Sequence, residues 1–266
     1  MEIHISTGSY EPAGIHAPMT PQTGPRPPWG YVMTVIWTLV TFLVGSVAAL
    51  AYAAVIYGPD ALAGIIDKLD DINVRYDGVF TSHVYLASSA VQFAVLALLI
   101  RYKNWSVTDY LALNLPRLRT IIVYAVALIV LLLVVEAVTR FLGHGPTTEF
   151  QIISYRTAKA AGQLPLLLLV IVVIAPFIEE VVFRGFLYRG FVRRPGHEPI
   201  AILVLSILFM AAHPQYDWIP LASVFILALF LGWVRWTTNS TGMTIILHMM
   251  TNFIATVATV LHVEWS

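Results

Sequence analysis

The sequence predicts an all-α polytopic membrane protein, a transmembrane helix bundle of about seven spans, or eight if one of the longer segments splits. Three observations carry that prediction. Of the 266 residues, 58% are hydrophobic and only 11% charged, where a soluble domain is about one quarter charged. Mean hydropathy is +0.79. Apolar stretches recur along the chain at lengths that suit a bilayer, and none alternates at the period of two that a membrane barrel needs.

Residues 1–28 are polar and rich in proline, and read as a disordered tail. They lack the basic start and apolar core of a signal peptide. The apolar segments follow at roughly 29–57, 84–102, 120–142, 164–190, 199–214, 219–236 and 242–262. The fifth is short and ends at Pro214. The sequence thus divides into the tail, a first span with an acidic loop over 29–83, and a core over 84–266. Most tryptophans flank spans, as interfacial aromatics do.

Loop charges set the expected orientation. Arg26, Arg101, Lys103, Arg117, Arg119, Arg184, Arg189, Arg193, Arg194 and Arg235 fall on the side of the N-terminus, and Lys68, Arg75, Arg140, Arg156 and Lys159 on the other. An excess of basic residues marks the cytoplasmic side. The N-terminus is therefore expected in the cytoplasm, in a multi-pass protein of the cell inner (plasma) membrane. Equal numbers of acidic and basic residues, 15 of each, argue against a nucleic-acid partner. The absence of cysteine excludes disulfides, thiolate metal sites and a cysteine nucleophile.

Ionisable groups inside a bilayer are costly and mark function by default. Three motifs stand out. Glu179 and Glu180 open the stretch EEVVFR. Glu180 and Arg184 are four apart, on one helical face, and can pair. That leaves Glu179 as a freer carboxylate, suited to a general acid or base. Taken alone, the two glutamates read more readily as a helix end at the water interface. Phe209 and His213 share a face, and His213 alone reads as an interfacial histidine before Pro214. His248 and Asn252 also share a face, within an otherwise apolar segment. They could be an interhelical hydrogen-bonding pair.

Depth joins the three. Glu179 precedes Gly196 by 17 residues, and His213 follows it by 17. Across a hairpin turning at RRPGHEP, both lie at comparable depth, roughly 15 and 21 Å below the helix ends. A turn near Ser240 puts His248 roughly 12 Å and Asn252 roughly 18 Å down. Four polar residues on three helices converge near mid-membrane, which interfacial decoration does not predict.

EExxxR, FxxxH and HxxxN, in this order on separate membrane helices, resemble the CPBP family (CAAX protease and bacteriocin processing, also called Abi), which includes the type II CAAX prenyl endopeptidases. Val107–Leu113 (VTDYLAL) also resembles the loop before the core of that family. The resemblance implies an intramembrane endopeptidase acting on a membrane-associated protein or peptide. By position, Glu179 would activate water with help from His213. His248 and Asn252 would stabilise the oxyanion, with Glu180, Arg184 and Phe209 as support. The residues themselves agree: a carboxylate and an imidazole can deprotonate water, and amide and imidazole N–H groups can meet an oxyanion. No cofactor is expected. Zinc held by Glu179, Glu180, His213 and His248 is the alternative. The catalytic water is expected to come from the cytoplasmic side, where most basic loops lie. A non-proteolytic membrane peptide-binding protein, of immunity or scaffold type, is the competing reading. HExxH, GxGD and GxSxG motifs are absent.

Overall fold

The computed structural model describes residues 27–265. Nearly all of the expected tail lies outside them. Among the described residues the fold is helical, without strands. Each apolar segment forms a helix. Six are long and apolar enough to cross a membrane: α1 (Tyr31–Tyr57), α4 (Gly78–Tyr102), α6 (Leu118–Phe141), α8 (Leu164–Phe191), α10 (Trp218–Thr238) and α11 (Thr241–Trp265). The seventh, α9 (Glu198–Ala211), has 14 residues, or about 21 Å of rise against a hydrocarbon core of about 30 Å. It stops at Ala211, and Pro214 lies in the loop that follows. Of the seven expected spans, six are helices long enough to cross a membrane and the fifth is a shorter apolar helix.

Four further helices occupy segments that read as loops: α2 (Pro59–Ile66), α3 (Ile72–Arg75), α5 (Val107–Tyr110) and α7 (Glu149–Ala160). They are too short or too polar to announce themselves by hydropathy. The start of α7 was nevertheless written in its sequence. Thr148 and Gln151 form a reciprocal capping box.

The helices pass alternately up and down. One face of the bundle carries the start of α1, the loop 103–117, the turn 192–197 and the turn 239–240. The opposite face carries 58–77, 142–163 and 212–217. Both turns on the first face use left-handed backbone, at Gly196 (φ 90°) and Asn239 (φ 47°), residue types that tolerate it. α1 lies along α4 at a small-residue contact. A side chain at Gly45 would overlap Gln92, so the helices approach as closely as glycine permits. α6 fully buries only Leu128 and turns most of its length outward.

α8 passes through the core. Its ladder widens to π-helical turns at Val170–Ile174 and Val181–Leu187, on either side of the glutamate pair. Pro176 offers no N–H, and its ring opposes an ordinary turn before it. The wider turn accommodates both constraints.

Trp29 packs on Tyr110 and Phe186 inside the core rather than at an interface. Two arginines counted as loop charges are also interior. Arg184 pairs with Glu180. Arg235 is fully buried, donating to the Arg184 carbonyl and to Asn239 and lying over Tyr188.

Candidate active site

Glu179 and Glu180 follow one another on α8 but face different surroundings. Glu180 is fully buried. Its Oε1 accepts from Arg184 Nη1 at 2.9 Å and from His248 Nδ1 at 3.0 Å. The pair expected from the four-residue spacing is therefore made. The Arg184 guanidinium also donates to the Ala228 carbonyl and covers the Phe209 ring at 4.6 Å. A buried ion pair costs desolvation, and its extra hydrogen bonds offset that cost.

Glu179 faces a cavity. Its Oε1 accepts from the Tyr85 hydroxyl at 2.6 Å, and its Oε2 lies 3.8 Å from His248 Nε2. Tyr85 comes from α4, far away in sequence. A tyrosine inside an apolar span has an ordinary packing role, so the motif reading passed over it. Its place in GVFTSHVYLASS, a span start with several polar residues, was the one available signal.

His248, on α11, bridges the two carboxylates. Its Nδ1–H donates to Glu180, because an ionised carboxylate only accepts. That contact fixes the ring and aims Nε2 toward Glu179 and the cavity. His213 lies just past the end of α9, one residue beyond its cap, rather than within the helix. Its Nδ1 stands 2.7 Å from the Phe209 carbonyl, an acceptor only. The proton of the neutral ring therefore sits on Nδ1, and Nε2 keeps a lone pair. Phe209 packs against His213, His248 and Phe183 together. The Asn252 amide donates to the Ile171 carbonyl at 2.9 Å, within the first π-helical stretch of α8. Its second amide hydrogen is not engaged by that bond.

These groups share one cavity of about 890 Å³, lined by Tyr85, Glu179, Phe209, His213, Tyr216, His248 and Asn252. Its walls continue along α6 through Ile129, Leu132 and Glu136 to the loop 144–148 and the first turn of α7. Tyr216 lies over His213, and Phe150 touches both Tyr216 and Tyr76. Burial, reinforced by the charge of Glu179, pushes the Tyr216 phenol up to about 12.

Every loop residue of the lining belongs to the face opposite the N-terminal start of α1. The other side is closed by Arg184, Phe186, Tyr188, Tyr110 and Leu111, all buried. Access from the side of the basic N-terminal loops, as the sequence suggested, therefore does not hold. Those loops end on packed core, and sequence spacing gives depth without saying which end of a bundle is hollow.

The four alternative zinc ligands do not converge on one point. Among the described residues no group of three or more His, Asp or Glu side chains is arranged to hold a metal ion. Glu180 and His248 Nδ1 are turned toward each other and Arg184. Only Glu179, His213 and His248 Nε2 are left toward the cavity.

Residues 161–254 match the family model described as type II CAAX prenyl endopeptidase Rce1-like. No curated protein and no solved structure matches the chain. The matched stretch is about a third of the chain and contains Glu179, Glu180, Arg184, Phe209, His213, His248 and Asn252. The chain is thus similar, over residues 161–254, to the Rce1-like type II CAAX prenyl endopeptidases, a likeness consistent with the CPBP family.

Proposed function

We propose that the chain hydrolyses a peptide bond of a membrane-associated protein or peptide, using water activated by Glu179 and His213 and no metal ion. One observation carries the reading: Glu179, His213, His248 and Asn252, drawn from two helices and a loop, line a single cavity inside the Rce1-like stretch. Tyr85 holds Oε1 of Glu179 and leaves Oε2 for the water. As that water attacks the scissile carbonyl, the new C–O bond forms and its proton passes to Glu179, with the Nε2 lone pair of His213 as a second acceptor. The carbonyl oxygen becomes an oxyanion. Asn252 offers its remaining amide hydrogen, and His248, which gives Nδ1–H to Glu180, donates to the oxyanion from Nε2 in its doubly protonated form. Donors set in a water-poor site stabilise such an oxyanion far better than they would in water. Collapse breaks the C–N bond, and the proton on Glu179 passes to the departing amine.

The test is cleavage of a membrane-peptide library by the purified protein, with and without a strong chelator, beside Glu179→Ala. Cleavage that survives chelation and disappears in the variant is the expected result. Loss on chelation with recovery on adding zinc overturns the metal-free step. A variant that binds and cleaves as wild type does overturns the site.

A further inference from the structure

A second, smaller cavity of about 70 Å³ adjoins the large one, between α7, α8 and α11. Phe150, Gln151, Ile171, Tyr216, Asn252 and Ala255 line both, so it is an alcove of the same space. Its remaining walls are Tyr155, Leu167, Leu168, Thr256 and Thr259. Among the described residues no charged side chain lines it. Several of its polar groups are engaged elsewhere. The Tyr155 hydroxyl donates to Glu264, the Thr259 hydroxyl donates to the Ala255 carbonyl, and Gln151 Oε1 accepts from the Thr148 backbone. What they leave to a guest is mostly methyl, methylene and ring surface. A charged guest would give up its water there without gaining a partner. Asn252 stands on the border, with its amide bonded to the Ile171 carbonyl. The alcove therefore lies next to the amide assigned to the oxyanion. In a peptide, the side chains on either side of the scissile bond begin within a few bonds of the carbonyl carbon, so one of them falls beside the alcove.

We infer that this alcove is the subsite for one of the two side chains flanking the scissile bond, and that it takes a short aliphatic group while excluding aromatic and charged ones. The inference rests on the protease reading above. Size sets the upper limit. A cavity of about 150 Å³ holds benzene, and the alcove has about half that, at about 70 Å³. Phe150, Gln151, Tyr155, Ala255, Thr256 and Thr259 lie outside residues 161–254, the stretch that matches the family model. The preference is thus written largely in residues of this chain beyond that stretch.

The chain contains no cysteine, so a single engineered thiol reports without background. Thr256→Cys places it in the alcove, and Ser223→Cys in the open cavity. Thr259→Cys, which also lines only the alcove, replaces Thr256→Cys should that variant not fold. Each purified variant, matched to wild type for thermal midpoint, is treated in detergent with methyl, isobutyl and benzyl methanethiosulfonate. Ser223→Cys is expected to react with all of them. Relative to it, the alcove thiol is expected to take the methyl and isobutyl reagents and to react with the benzyl reagent about tenfold or more slowly, since one methylene in an apolar pocket is already worth about 10- to 200-fold. An alcove thiol that none of the reagents reaches, or that takes benzyl as readily as methyl, overturns the subsite. The second readout is the residue flanking the bonds cleaved in a peptide library. Wild type is expected to favour valine or leucine at one flank. Thr256→Leu, which fills the alcove, is expected to lower that preference about tenfold in favour of alanine and glycine. A preference unchanged at both flanks overturns the assignment. If wild type cleaves nothing, the protease reading is what fails, and the labelling still decides whether the alcove admits a short aliphatic group.

Discussion

The half of the bundle below the glutamate pair and the half above it are built on opposite terms. Below, Glu180, Arg184, Arg235, Tyr188 and Tyr110 are buried and interlocked, and the charges are held by ion pairs, carbonyls and aromatic faces. Above, Glu179, His213 and Asn252 face about 890 Å³ of open volume, with one hydrogen bond each that orients without enclosing. One step along α8 separates the two regimes. The difference teaches how a membrane interior can hold two carboxylates side by side: one is fixed as structure, which leaves its neighbour available for chemistry.

Substitutions on either side should break that contrast differently. The largest effect on turnover is expected at the open half. His213→Ala should lower cleavage about 10²- to 10⁴-fold, the usual range for a positioned acid or base, with an unchanged thermal midpoint in detergent. At the closed half, Glu180→Ala leaves Arg184 buried without its carboxylate. It should lower stability by about 3–5 kcal/mol, seen as an earlier unfolding midpoint. Tyr85→Phe sharpens the boundary. It removes a hydrogen bond to a charged group, worth about 1.5–3 kcal/mol, and should slow turnover by about tenfold or more while the thermal midpoint moves little. Tyr216→Phe should do least. With its phenol pushed up to about 12, Tyr216 stays neutral below pH 10 in folded and unfolded chain alike. The preference of the fold for the neutral phenol is therefore fully present there, and declines only as pH rises through about 10 toward 12. The pH profile of cleavage between pH 6 and 9 should match that of wild type.

Much of this was legible in the sequence. Hydropathy located every long helix, because a bilayer demands apolar runs of fixed length. Gly196 and Ser240 marked the turns that bring Glu179, His213 and His248 to one depth. The Glu180–Arg184 pair followed from spacing alone. Tyr85 did not, because its partner lies 94 residues away and no local pattern encodes a contact between α4 and α8. The π-helical turns of α8 were equally silent, although Pro176 hinted at a disturbed ladder. The mouth of the cavity was misjudged for a related reason. Basic loops report which face sits in the cytoplasm, whereas the hollow end is set by how far α6 stands from α8, α10 and α11.

The central claim is that Glu179, and not its buried neighbour, performs the chemistry. Glu179→Gln keeps the shape and the Tyr85 contact and removes only the ability to take a proton. The direct measurement is the cleavage rate of this variant beside wild type on one peptide substrate, with both proteins matched for thermal midpoint. The account predicts a folded protein that binds the peptide and leaves it intact. Cleavage by Glu179→Gln at the wild-type rate would contradict it.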